Sequence, residues 1–217
     1  SDMPNQILAV SFLDTQSGFL LRQLFPENKP AILELLHTED HGANWEIVPS
    51  KLPTIDTDSP LASAYLEQLD RERGWLVLKL QTGSNFSQGR LFYTADGGST
   101  WEERSLPLGE PVKFIDDQRG WVAGGPSGDQ LFNTIDGGKT WLPVDLPLLN
   151  QIPETRMMIG LPQFSQTGVG FLPVTSNGEA SNQLMIYQTQ DQGATWQVEK
   201  TYDIGTTFAI SNSLAFS

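Results

Sequence analysis

The sequence predicts an all-β chain made of four-stranded antiparallel sheets repeated along its length, and three observations predict it. One short segment occurs four times: TEDHGANW (38–45), TADGGSTW (94–101), TIDGGKTW (134–141) and TQDQGATW (189–196). Each copy is preceded by a second recurring element: FLDTQSGF (12–19), QLDRERGW (68–75), FIDDQRGW (114–121) and FSQTGVGF (164–171). Between them lie short runs of Val, Ile, Leu, Phe and Trp broken by Gly, Asp, Asn and Pro, the pattern of strands joined by tight turns. A period of tens of residues marks stacked supersecondary units, so the repeat sets the architecture.

Each unit reads as four strands. An apolar lead-in ends in a polar turn closed by Gly, and Phe or Trp then opens the second strand, as in GWLVLKL (74–80) and GWVAGG (120–125). A third strand enters the eight-residue segment, and a short fourth strand follows its tryptophan (WEIV, WLPV, WQVE). Trp45, Trp101, Trp141 and Trp196 are 56, 40 and 55 residues apart, room for four strands and their loops. PAILELLHTED (30–40) has helical composition, but it leads directly into the first segment and is assigned as a third strand. Radially repeated four-stranded sheets are β-propeller blades, expected at 6–50, 62–106, 111–147 and 158–201 of a single domain. The tail 202–217 reads as the opening of a further blade, with Phe216 where Phe114 stands. It is therefore expected to belong to a larger propeller, to a four-bladed ring, or to a sheet shared with another copy. An open arrangement would leave apolar sheet faces for self-association.

The eight-residue segment resembles that of the Asp-box (BNR) propellers, which include sialidases and other glycosidases. The fuller pattern, Phe-x-Asp-x-x-x-Gly-Trp followed by Thr-x-Asp-Gly-Gly-x-Thr-Trp, is most similar to the photosystem II stability/assembly factor type of repeat, also found in bacterial secreted and surface proteins. The resemblance implies a propeller with a protein-binding, assembly-type role at an exported location. It also implies that an arginine-rich patch would matter, whereas the arginines here are scattered through an acidic chain. In the resembling sialidases the boxes lie away from the active site.

The boxes themselves read as scaffolding. Asp40, Asp96, Asp136 and Asp191 are placed to accept backbone N–H groups of their own turns. Trp45, Trp101, Trp141 and Trp196 are placed to cover those turns with an apolar face. His41 and Asn44 replace Gly and Thr in the first copy, and Gln192 replaces Gly in the fourth, so these two turns are expected to be less regular.

The chain has 217 residues and a formal net charge of −13, which argues against a phosphate backbone as partner, so no nucleic acid is expected. There are no cysteines, which removes disulfides, thiolate catalysis and thiolate metal sites. No apolar run approaches the roughly 18 residues of a membrane span.

Strand alternation places the first-to-second turns and the boxes on one face. The second-to-third and fourth-to-first connections form the other, at about 22–31, 50–64, 81–90, 107–112, 124–130, 145–157, 174–183 and 202–207. Variable loops on a rigid scaffold are where binding residues concentrate. The candidates there are Lys29, Asp56, Asp58, Phe86, Arg90, Asp129, Glu154, Arg156 and Glu179.

No cofactor, metal or catalytic residue is assigned. His37 and His41 flank Glu39 and Asp40, but they run from a strand into a turn whose aspartate is already engaged. GGPSG (124–128) lacks the Gly-Lys-Ser/Thr of a phosphate loop. The Arg-Ile-Pro or Arg-Leu-Pro signature of sialidases is absent, and no partner motif accompanies the four tyrosines. The leading expectation is a non-catalytic propeller that binds a protein partner through the variable loop face. The alternative is a carbohydrate-binding or glycoside-hydrolysing propeller using a pair among Asp56, Asp58, Asp129, Glu154 and Glu179.

Overall fold

The computed structural model describes residues 4–55, 60–83, 86–147, 156–165, 167–178 and 182–205. Among these there is no helix, and seventeen strands form four antiparallel sheets. The first sheet runs β1 (Asn5–Phe12), β2 (Gly18–Leu24), β3 (Ile32–Thr38), β4 (Glu46–Ile47). The second runs β5 (Leu61–Gln68), β6 (Gly74–Leu80), β7 (Gly89–Thr94), β8 (Glu102–Arg104), and the third β9 (Val112–Phe114), β10 (Gly120–Gly124), β11 (Gln130–Thr134), β12 (Leu142–Pro143). In all three, strand order follows chain order, the meander of a propeller blade. The tail 206–217 lies outside the described residues.

The fourth sheet differs in one respect. Its first strand is split into β13 (Arg156–Ile159) and β14 (Gln163–Phe164), both paired with β15 (Gly170–Asn177). β16 (Asn182–Thr189) and β17 (Gln197–Gly205) complete it. The split falls at Gly160-Leu161-Pro162, where proline has no N–H for the ladder.

The chain divides into two compact units, 1–120 with 134–141, and 121–133 with 142–217. In the first, successive blades pack face to face. Phe19, Leu21, Leu33 and Leu35 meet Ala64, Leu76, Leu78 and Phe92 in one buried cluster. Period-two alternation explains it: Leu21 pairs with Leu35, and Leu66 pairs with Leu76, which pairs with Phe92, so each set lines one face of its sheet. At the next junction Phe114 lies flat on Trp75, ring centroids 3.8 Å apart and planes 4° apart. In the second unit Leu172, Val174, Met185 and Tyr187 are buried, and Phe164 packs between Trp121 (4.9 Å) and Trp196 (6.1 Å).

Candidate functional site

Each box is a closed hydrogen-bond circuit. The threonine ending the third strand (Thr38, Thr94, Thr134, Thr189) is buried; its hydroxyl donates to the box aspartate and accepts the N–H of the residue four positions on. Asp136 illustrates the saturation. Its Oδ1 accepts from Thr134 Oγ1 at 2.8 Å and Thr140 N at 2.9 Å, while Oδ2 accepts from Thr140 Oγ1 at 2.7 Å. The Thr140 hydroxyl, then its N–H, hold the Asp136 carboxyl at about 2, and Thr195 does the same for Asp191. In the first box the N–H of Asn44, then its side chain, hold Asp40 at about 2. Asp96 is lowered by the same contacts, the Thr100 hydroxyl foremost. These carboxylates hold local turns and present no free base.

The two turns expected to be irregular keep the same circuit. Asn44 N and Thr195 N each lie 2.8 Å from their aspartate Oδ1, as Thr100 N does. The substitution shows instead in the backbone: His41 and Gln192 sit at φ 62° and 59°, the left-handed region that side chains rarely occupy. His41 gains a partial offset, its Nδ1 bonding the Thr15 carbonyl at 2.6 Å. His37 instead packs its ring against Phe19.

First-to-second turns and boxes do share a face. His41 N donates to Gln16 O, Gly97 N to Glu72 O, and Gly137 N to Gln118 O. One connection departs from its expected place. The segment 50–64 begins on the box side, where Ser50 Oγ donates to Gly98 O and accepts from Trp101 Nε1, and Lys51 N donates to Ser99 O. The reason is the brevity of β4, which turns back before carrying the chain clear of the neighbouring box.

Of the loop-face candidates, Asp56, Asp58, Glu154 and Glu179 lie outside the described residues. In the first unit Lys29 is exposed, and Phe86 is 67% exposed with its carbonyl fixed by Thr82 Oγ1. Beside that loop Glu110 accepts from both Lys79 Nζ and Ser87 Oγ at 2.6 Å. Arg90 is not a loop residue: it belongs to β7, and Glu103 takes its Nε and Nη2 at 2.8 and 2.9 Å. In the second unit Asp129 and Arg156 are exposed on adjacent elements, joined by Ile159 N donating to Gly128 O. Neither has an ion-pair partner among the described residues.

A second grouping was missed in the sequence. Arg71, Arg73, Arg104 and Arg119, scattered along the chain, all reach the box side of the first unit. Arg73 Nε and Arg119 Nε each bond the aspartate three residues earlier at 2.7 Å, and Arg73 lies 3.7 Å from Asp117. Arg104 is largely buried over the Tyr93 ring and pairs with Glu102, while Arg71 pairs with Glu39. Burial, then the charge of Asp117, raise the Tyr93 hydroxyl. The Asp-x-x-Arg-Gly spacing at 70–74 and 116–120 was the available signal. Each guanidinium is neutralised locally, so the grouping is no open cationic patch.

Residues 52–215 match the family described as photosynthesis system II assembly factor YCF48. The chain belongs to that family. No curated protein matches it. Among solved structures, an exo-β-1,3-galactanase from Clostridium thermocellum superposes at TM-score 0.50 and 11% identity, covering 92% of this chain and 49% of its own. A xylan β-1,4-xylosidase from Bacillus halodurans C-125 gives 0.47 and 13%, covering 91% and 42%. A Trypanosoma rangeli sialidase gives 0.48 and 9%, covering 81% and 30%. The chain thus spans half or less of these structures. At such identities the likeness bears on the fold alone, and the galactanase supports the propeller-type blade arrangement.

Proposed function

We propose that this chain is a non-catalytic, assembly-factor-like propeller that holds a protein partner at the variable loop face, opposite the boxes. The observation that carries the reading is Phe86, a large apolar side chain held outward at the tip of a loop whose base is braced by Lys79, Ser87 and Glu110. Exposed aromatics on rigid supports are the usual anchors of protein interfaces. Lys29 and Asp129 leave their charges open to solvent in loops, and Arg156 does so at the start of β13, whereas the arginines of the box side are already paired. Membership of the assembly-factor family supports a protein partner over a small molecule. We place the protein outside the cytoplasm, on the strength of the repeat type; fractionation of the source cells tests that placement.

The carbohydrate alternative needs two facing carboxylates and stacking aromatics. Among the described loop-face candidates there is one carboxylate, Asp129, and one aromatic, Phe86.

The test uses a photo-crosslinking phenylalanine analogue at position 86 or at Ile135, a box-side residue of equal 67% exposure. A discrete cross-linked product from position 86 in extract of the source organism, absent from position 135, is the expected outcome. The reverse pattern overturns the choice of face. Saturable binding on a glycan array, or turnover of a chromogenic glycoside, overturns the protein-binding reading.

A further inference from the structure

Asp-Gly occurs twice in the sequence, at Asp96-Gly97 and Asp136-Gly137, and Asn-Gly once, at Asn177-Gly178. In such pairs the glycine nitrogen has no side chain beside it to hinder a close approach. It can attack the side-chain carbonyl carbon of the residue before it and close a five-membered succinimide. An amide releases ammonia in that step, and a protonated carboxyl releases water.

The box circuit closes the first two pairs to this chemistry. Gly97 N–H donates to Glu72 O and Gly137 N–H to Gln118 O, both at 2.8 Å, so each attacking nitrogen is engaged. Each carboxylate is bonded to its threonines, and the Thr100 and Thr140 hydroxyls, foremost among these contacts, keep it in the ionised form, which has no leaving group. Asn177-Gly178 stands outside any such circuit. Asn177 is exposed, and Gly178 N–H donates no backbone hydrogen bond among the described residues. Asn177 is also the last residue of β15 and ends both of its ladders, paired with Arg156 at the start of β13 and Asn182 at the start of β16. Ladder ends open most readily, which frees the backbone to bring Gly178 N onto the Asn177 amide carbon.

We propose that Asn177 is a self-modification site, converted without an enzyme to isoaspartate and aspartate. The Gly178 N–H gives its proton to solvent, its nitrogen bonds to Asn177 Cγ, and the side-chain nitrogen leaves as ammonia. Water then opens the ring. Attack at the main-chain carbonyl leaves isoaspartate, and attack at the side-chain carbonyl leaves aspartate, each with one added negative charge. Directly opposite residues of an antiparallel pair share a face, with Cβ atoms about 4.5–5.5 Å apart. The new carboxylate therefore stands against Arg156, which has no ion-pair partner among the described residues. Arg156 is one of the open cations counted above for the loop face. A bearing on partner binding rests on that reading, whereas the conversion does not.

Peptide mapping of the full chain, incubated at mildly alkaline pH both folded and in concentrated urea, tests the proposal. Electron-transfer fragmentation distinguishes isoaspartate from aspartate at each pair. Asn177 should convert in the folded chain less than tenfold more slowly than in urea, faster as pH rises, and Gly178→Ala should slow it at least tenfold. Asp96 and Asp136 should isomerise at least tenfold more slowly folded than unfolded. Protection of Asn177 by tenfold or more overturns the proposal, because the ladder end then holds the backbone closed. Unprotected Asp96 or Asp136 overturns the argument that the box circuit is what separates the pairs. For the product, Asn177→Asp should raise the thermal midpoint, and Arg156→Gln should abolish that gain. No gain, or a gain that survives Arg156→Gln, overturns the pairing with Arg156.

Discussion

Gly98 and Gly42 occupy the same place in the second and first boxes, with φ of +86° and +81°. A methyl group at either meets the box tryptophan Cζ2 at ordinary contact, 3.4 and 3.5 Å. They differ in one neighbour. At Gly98 the added carbon falls far inside contact with Leu35 Cδ2; at Gly42 the other near atom is Phe12 Cζ at 3.4 Å. Leu35 is fully buried among Phe19, Leu21 and Leu33, so its methyl has nowhere to withdraw. Gly42→Ala should therefore cost only the left-handed backbone, about 1–2 kcal/mol. Gly98→Ala should add overpacking of about 1–3 kcal/mol, for a total of about 2–5 kcal/mol. Both residues lie in the same compact unit, so urea unfolding followed by tryptophan fluorescence compares them on one transition. Equal losses would refute the reasoning, since they would mean that the inter-blade approach contributes nothing beyond the turn.

The remaining predictions concern the boxes and the loop face. Asp40, Asp136 and Asp191 titrate at about 2 against an ordinary 3.8, so their contribution is fully present above pH 4 and lost as pH falls toward 2. The thermal midpoint should drop steeply in that window, and a flat profile from pH 4 to 2 would contradict the box circuit. Trp141→Ala removes the edge-on contact with Phe114 and the 2.8 Å bond to Ser105 O; half-buried, it should cost about 2–4 kcal/mol in the same urea assay and leave partner binding intact. Phe86→Ser should do the opposite, abolishing partner capture while stability stays within about 0.5 kcal/mol. A large loss of stability there would recast Phe86 as a packing residue.

The sequence by itself determined the blade. Strand period, turn residues and the four boxes are local patterns, and local hydrogen bonding satisfies them: Thr94, Asp96 and Thr100 close their circuit within seven residues. The same locality resolved 30–40, where the box that follows forces a third strand on residues of helical composition. Tertiary structure decided what depends on distant partners. Arg90 looked free until β8 brought Glu103 beside it. The box-side arginines, up to 48 positions apart, gathered because neighbouring blades align their turns. Only the packed blades show that Phe114 and Phe164 are each held between two aromatic rings, whereas Phe12, at the corresponding place in the repeat, has Trp45 at 6.0 Å and is 49% exposed. A repeat specifies each unit's two faces identically; whether a face is a core or a surface depends on the neighbour, and no residue within the unit encodes that.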